Sequence, residues 1–164
     1  MGREGAEGSK SSRALAALEQ AGLRKTPQRV AIVSAFADDP THPTAQIIFD
    51  RLRRTMPTVS FATVYNTLAA LEQAGRCRTL RIDGVAGDSG TRFDPNVDAH
   101  DHAVCDRCGA VRDVPHVRER GEPRRTTGNP PRVGGGFQVR AVERIYRGRC
   151  VDCLRDSHPN SDKS

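Results

Sequence analysis

SFATVYNTLAALEQAGRCRTLRI, residues 60 to 82, reads as a capped helix running into a strand. Ser60 supplies a hydroxyl suited to an N-cap, and Val64, Leu68 and Leu71 recur at helical spacing. Gly75 is the residue type on which helices commonly stop. Cys77 to Ile82 then alternates as a strand does, Asp83 to Gly90 is a Gly/Asp turn, and Thr91 to Phe93 reads as the return strand. Away from the apolar stripe, Thr63, Asn66 and Thr67 give the helix a polar, uncharged face.

Working back toward the N-terminus, three further helices are expected. Leu15, Leu18 and Leu23 mark a short first helix from Arg13 that Gly22 interrupts. Thr26 and Pro27 are an N-cap and a first-turn proline, opening a second helix through Phe36 with Val30, Ile32 and Val33 apolar. Thr44 caps a third, in which Ile47, Ile48 and Leu52 face inward while Arg51, Arg53 and Arg54 stay wet, and Pro57 ends it. Helices followed by a hairpin make a winged helix-turn-helix over residues 13–83. With Arg24, Lys25 and Arg29 flanking it, the fourth helix fits a recognition helix that enters the major groove while cations hold phosphates. An amphipathic helix packed on protein is the alternative, in which Tyr65 would be buried.

The 164 residues suffice for one compact domain or two small ones, and 36% hydrophobic residues without tryptophan make each core modest. The formal charge of +6 suits a polyanionic partner, though basic balance alone discriminates weakly. No apolar run approaches membrane-spanning length and Met1 to Lys10 is polar, so a soluble, cytoplasmic protein without a membrane partner is expected. Residues 1–12 and 155–164 lack apolar periodicity and read as disordered tails, 84–92 as the wing end and hinge, and 93–154 as a second, metal-binding domain.

That second domain carries two pairs of identical spacing, Cys105/Cys108 and Cys150/Cys153. Four thiols so grouped suit one tetrahedral structural zinc; a redox CxxC or unrelated core thiols are the alternatives. Cys77 is the odd thiol. His100 and His102 alternate, so a strand would project both imidazoles to one face. Adding His42, Asp94 and Asp113 gives three nitrogens and two carboxylates, a mixed set suited to Fe(II) or Mn(II) as well as zinc. Taken singly, His42 is also a helix-start residue, Asp94 a turn former and Asp113 a solvated charge. His116 and His158 read as surface histidines. No Ser/His/Asp or paired-carboxylate arrangement supports hydrolysis, and an enzyme is not expected.

TPQR at Thr26 to Arg29, HPTA at His42 to Ala45, SFATVYNTL at Ser60 to Leu68, RFD at Arg92 to Asp94 and HDHAVCDRCG at His100 to Gly109 together resemble the ferric-uptake-regulator family. The resemblance covers roughly residues 13 to 114 and 137 to 153. It implies an α+β protein, with an N-terminal winged helix-turn-helix DNA-binding domain and a C-terminal α/β dimerisation domain. It also implies a cytoplasmic homodimeric repressor in which metal between the domains sets the spacing of the two DNA readers. RFD, where iron-uptake regulators usually carry glutamate, is similar to the peroxide-responsive, PerR-like branch.

On that branch His42, Asp94, His100, His102 and Asp113 match the regulatory Fe/Mn site, the four paired cysteines match the structural zinc, and His42 and His100 are the oxidation-sensitive ligands. Tyr65 is the position expected at base edges or thymine methyls, with Ser60, Thr63 and Asn66 near it and Lys25 and Arg29 on the backbone. The implied target is an A/T-rich inverted repeat in double-stranded operator DNA. Sensing of iron or zinc sufficiency without oxidation is the neighbouring reading within the family. A zinc-ribbon module or thiol-disulfide enzyme, with a reactive Cys105 or Cys150, is the reading from another class.

Residues 114–136, VPHVRERGEPRRTTGNPPRVGGG, depart from the family pattern. A dimer-forming helix is expected there by resemblance, and this Arg/Gly/Pro-rich run has no apolar stripe with which to bury one. It reads either as an insertion or as the product of two compensating frameshifts in a GC-rich gene.

Overall fold

A computed structural model describes residues 4–82, 90–115, 135 and 143–156, with side chains from Lys10 onward. Four helices come first: α1 (Glu4–Gln20), α2 (Pro27–Phe36), α3 (Ala45–Leu52) and α4 (Phe61–Gln73). A hairpin of β1 (Arg78–Ile82) and β2 (Gly90–Asp94) follows, then β3 (His100–Cys105), β4 (Val111–Pro115), β5 (Ile145–Gly148) and α5 (Val151–Arg155).

Local chemistry sets the helix starts. Thr26 Oγ1 accepts the Arg29 backbone N–H at 3.3 Å, Thr44 Oγ1 that of Ile47 at 3.2 Å, and Ser60 Oγ that of Thr63 at 3.1 Å. Each hydroxyl satisfies a first-turn amide that has no partner inside its own helix. Thr26→Ala is accordingly expected to destabilise the helical domain by about 1 kcal/mol. Urea unfolding should show a lower midpoint with an unchanged slope.

The helices bury Leu18, Ile32, Val33, Phe36, Ile48, Val64, Leu68 and Leu71 in one core, which Phe93 joins from β2. In α1 the buried stripe runs through Ala14 and Leu18, whereas Leu15, expected inside, is 36% exposed. Small alanines let α1 lie close on α2, and they are weak markers of a buried face. The helix also begins at Glu4, so the disordered tail expected over residues 1–12 is helical from that point. Glu4, Ala6, Glu7 and Lys10 favour helix, and a 3.1 Å ion pair from Lys10 to Asp38 ties the extension to the end of α2. Apolar periodicity reports neither effect. The third helix stops at Leu52, with Arg53 as its C-cap, before Pro57 is reached.

In the hairpin β1 and β2 pair antiparallel from Arg78↔Asp94 to Ile82↔Gly90. Gly90, Thr91 and Arg92, assigned to a hinge, are therefore paired strand; residues 84–89 of that segment lie outside the described residues. The backbone just before α3 is sewn to the same strand. Phe93 N–H donates to Pro43 O at 3.0 Å, and Arg92 Nη1 donates to His42 O at 3.2 Å.

The second sheet has the order β4-β3-β5, antiparallel across β3/β4 and parallel across β3/β5. Its small apolar core joins Val104, Val111 and Ile145 to Leu80 and Ile82 of the hairpin. Val114 and Pro115, counted with the departing segment, are paired strand opposite Asp101 and His100. Residues 116–134 and 136 of that segment, and the 157–164 part of the expected C-terminal tail, lie outside the described residues.

Candidate metal centre

Four pieces of chain meet at one polar cluster. The loop before α3 brings His42, β2 brings Asp94, β3 brings His100 and His102, and β4 brings Asp113 opposite His102 in register. One donor atom each from His42, Asp94, His100 and His102 lies within 4.8 Å of the others. Asp94 Oδ2 stands 3.0 Å from His100 Nε2 and 3.4 Å from His102 Nε2, and the two Nε2 atoms are 3.0 Å apart. Asp113 Oδ1 is at the rim, 2.8 Å from His42 Nε2 and 3.7 Å from His100 Nε2.

The rings are aimed by their outer nitrogens. Nδ1 of His42 donates to Pro40 O at 3.2 Å and Nδ1 of His100 to Asp98 O at 2.9 Å, a tautomer that leaves each Nε2 lone pair facing inward. His42 takes the left-handed conformation, φ 52°, uncommon for a residue with a side chain. Asp39 holds the preceding turn by accepting the Thr41 N–H at 2.9 Å and binding the Arg51 guanidinium.

His42 and Asp94 are each 1% exposed, and neither His42 Nε2 nor Asp94 Oδ2 has a hydrogen-bond partner. Buried polar atoms left this way are destabilising unless something satisfies them. A divalent cation among three imidazole nitrogens and a carboxylate does so, and the residues present fit one. Burial pushes the His42 imidazole below its ordinary value, against the pull of the Asp94 and Asp113 carboxylates, so the ring is disposed to be neutral as a ligand must be. Burial alone would raise Asp94. The neighbouring His102 imidazole and the Asn96 N–H, with the attraction of the His42 and His100 rings, outweigh it and hold the carboxyl below its usual range.

Asp94 thus lies inside the cluster and Asp113 at its rim, although the sequence gives each a plainer use. His116 and His158 lie outside the described residues.

The four paired cysteines form a second cluster, also with sulfurs within 4.8 Å of one another and none in a disulfide. Cys105 and Cys108 flank a tight turn closed by Gly109 N–H to Cys105 O at 2.9 Å, with Gly109 at φ 72°. Cys150 N–H donates to Cys105 Sγ at 3.4 Å, and Cys108 and Cys150 sulfurs are 3.6 Å apart. The Cys150 and Cys108 backbone amides draw the Cys105 thiol down to about 6, whereas burial and its neighbouring thiols push Cys153 up to about 12. Such a set gives up its protons together only to a cation, and four sulfurs so close together suit a closed tetrahedral zinc site. Cys77 stays apart, buried with its thiol against Leu68 O and pushed up to about 12 by burial.

β3 runs from one cluster to the other, His100 and His102 at its start and Cys105 at its end. Folding of that strand on its cysteine turn thus places the imidazoles.

On the helical domain, Tyr65 is 49% exposed and Asn66 is exposed on α4. Tyr65 is not the buried residue of the alternative reading. Thr67, placed on the same polar face, is 1% exposed and donates its hydroxyl to Thr63 O at 2.7 Å. Ser60 and Thr63 bind each other at 2.8 Å around the N-cap. Lys25 pairs with Glu19 at 2.9 Å, and Arg29 Nη1 donates to Arg24 O at 3.3 Å.

Two residues escaped the sequence reading. Phe61 is 43% exposed, stacked on Tyr65 at 6.3 Å and met edge-on by Phe49 at 5.9 Å. Asn96 donates to two carboxylates of the metal cluster, from its backbone N–H to Asp94 and from its side-chain amide to Asp113; its position two after Asp94, in a DPN turn, was the only signal.

A family model described as the ferric uptake regulator family matches residues 20–126. Over 99 residues the chain is 41% identical to the peroxide-responsive repressor PerR of Staphylococcus aureus, an overlap covering 60% of this chain and 64% of that protein. The chain thus spans less than two thirds of the length of such relatives. Among solved structures, the Helicobacter pylori ferric uptake regulator Fur, described as having three functional metal-binding sites, superposes with a TM-score of 0.61 at 19% identity, covering 94% of this chain and 95% of that one. The Pseudomonas aeruginosa ferric uptake regulator with manganese gives 0.55 at 26% identity, covering 84% and 98%. These likenesses identify the architecture as α+β, a winged helix-turn-helix followed by the smaller α/β domain.

Proposed function

We propose, from the premise that this chain belongs to the ferric uptake regulator family, that it is a metal-dependent DNA-binding repressor sensing hydrogen peroxide through iron-catalysed oxidation of His42 or His100. It is a regulator and not an enzyme. One observation carries the reading: donor atoms from the loop before α3, from β2 and from β3 converge within 4.8 Å, with buried His42 Nε2 and Asp94 Oδ2 left unpartnered. A cation there clamps the DNA-reading part, residues 13–83, against the pairing part, residues 93–154. Likeness to the S. aureus peroxide-responsive repressor and the aspartate at position 94 support the peroxide branch.

His42, Asp94, His100, His102 and Asp113 hold Fe(II) or Mn(II), and Cys105, Cys108, Cys150 and Cys153 hold the structural zinc. Ferrous iron held by these residues would supply the electron that splits hydrogen peroxide, which manganese would not. Over the whole reaction one peroxide oxygen is inserted at an imidazole C–H and the other leaves as water; the ring gives up the two electrons and the iron is returned to its ferrous state. An imidazole that has gained oxygen is a poorer ligand, so the closed arrangement loses population and DNA is released. The homodimer presents its two α4 helices to adjacent major grooves of an A/T-rich inverted repeat. Tyr65 and Asn66 reach base edges from the exposed face. Ser60 and Thr63 stand near them at the helix start, and Lys25 and Arg29 meet the phosphates. Among the described residues no helix is long and apolar enough to cross a membrane, which accords with a cytoplasmic repressor.

Mass spectrometry of the iron-loaded protein after peroxide tests this. One oxygen atom added to the peptide carrying His42 or His100 is expected, absent from manganese-loaded protein and reduced in Asp94→Glu. Metal-dependent DNA binding without any added oxygen would replace this reading with sensing of iron or zinc sufficiency.

A further inference from the structure

Asn96 occupies the centre of the loop between β2 and β3, and its backbone N–H and both polar groups of its side chain are used. Its backbone N–H donates to Asp94 Oδ1 at 2.8 Å, and its side-chain Oδ1 accepts the Asp98 N–H at 3.1 Å. The amide is thereby oriented with Nδ2 toward β4, where it donates to Asp113 Oδ2 at 3.1 Å. Asp98 in turn accepts from His100 Nδ1 through its carbonyl. One residue thus touches Asp94 through its backbone and Asp113 through its side chain, and reaches His100 by way of Asp98.

Asp113 is the residue that needs holding. Its side chain is 40% exposed, whereas those of His42, Asp94, His100 and His102 are 9% exposed or less. A carboxylate that open to water keeps its alternative rotamers unless a second contact fixes it. With Oδ2 tied to Asn96, Oδ1 is turned to the cluster, 2.8 Å from His42 Nε2. Four donors suffice for a tetrahedral zinc; manganese and ferrous iron favour higher coordination with more oxygen.

We propose that Asn96 is a positioning residue that latches Asp113 into the regulatory site as its fifth ligand, and so sets the preference of that site for Mn(II) or Fe(II) over Zn(II). The inference rests on the metal-site reading above. Losing the latch leaves the four mutually close donors intact, so zinc should be held as before.

Asn96→Ser tests it in the full chain, because a serine hydroxyl still accepts the Asp98 N–H but is too short to reach Asp113. With the cysteines first filled with zinc, Mn(II) binding is read from the electron paramagnetic resonance of free Mn(II), and Zn(II) binding from displacement of Mn(II). Four thiolates are poor hosts for Mn(II), so the signal reports the other site. Mn(II) affinity is expected to fall about 10–100-fold, the usual loss for an outer partner of a ligand, with Zn(II) affinity unchanged. Adding Asn96→Ser to Asp113→Ala should weaken Mn(II) no further.

Unchanged Mn(II) affinity in Asn96→Ser, equal loss of both metals, or additive losses in the double variant would overturn the latch, the latter two marking a loop merely disrupted. A wild-type chain that takes up no Mn(II) overturns the functional reading as well.

Discussion

Cys153→Ser is expected to release the zinc and unfold the β4-β3-β5 sheet, leaving the helical domain folded. The sheet has little else to hold it: among the described residues its buried apolar side chains are Val104 and Val111, supported by Leu80, Ile82 and half-buried Ile145. The helical core is several times larger. Structural zinc contributes on the order of 10 kcal/mol to folding in small metal-stabilised modules, as large as the whole stability of many domains. At about 4–8 °C for each kcal/mol in a domain of this size, the melting midpoint of the sheet should drop by roughly 20 °C or more. Circular dichroism on heating, with zinc release followed by a chromophoric chelator, reads both events. An unchanged midpoint would show the cysteines to be ordinary core thiols.

Acid should act in the same direction. The Cys105 thiol is drawn down to about 6 in the folded chain from an ordinary value of 9.0. A depressed folded value means stabilisation that is complete above about pH 9, declines as pH falls and is gone below about pH 6. Strongly alkaline pH acts against the metal-free sheet through Cys153, whose thiol is pushed up to about 12, so its contribution declines as pH rises above about 9.

What the sequence could reveal depended on the range of the interaction. Thr26, Thr44 and Ser60 were legible as caps because a cap acts within three residues of itself. The α4 stripe of Val64, Leu68 and Leu71 was legible for the same reason. The start of α1 was not, because the Lys10 ion pair to Asp38, in the turn after α2, is a contact between distant segments that leaves no periodic trace. Thr67 was assigned to the wet face of α4 on polarity alone, yet it is buried because its hydroxyl is satisfied within the helix by Thr63 O.

Within the metal site, the pairing of His100 with His102 follows from strand geometry. His42 and Asp94 could be joined to them by ligand type and family resemblance but not by spacing, because Pro43 and Phe93 must first be hydrogen-bonded across the fold. Asn96 was invisible because its amide matters only once Asp113, on another strand, stands beside it. Phe61 carried no local mark of its exposure, which goes with its place as the first residue of α4.

Removing two ligands at once is expected to have the other large effect. Asp94 is 1% exposed and touches both His100 and His102, so Asp94→Ala deletes the cluster's one buried carboxylate and His100→Ala one of its three imidazole nitrogens. Losing an outer partner typically weakens a site 10–100-fold, so losing two direct ligands should abolish Mn(II) binding at micromolar metal, a loss of at least about 100-fold. The cysteine cluster lies at the far end of β3 and should keep its zinc. Circular dichroism and zinc content would show the variant folded, which separates a lost site from a lost domain.

The decisive measurement is DNA binding by that variant. The duplex is one selected from a random-sequence pool by the wild-type protein with Mn(II), and affinity is followed by fluorescence anisotropy at fixed salt. Wild-type protein should bind tightly with Mn(II) and weakly after chelation of that ion, while the Asp94→Ala, His100→Ala protein should bind weakly in both states. If that protein grips the duplex as tightly as the wild type does, no cation at this site governs the repressor and the account is wrong.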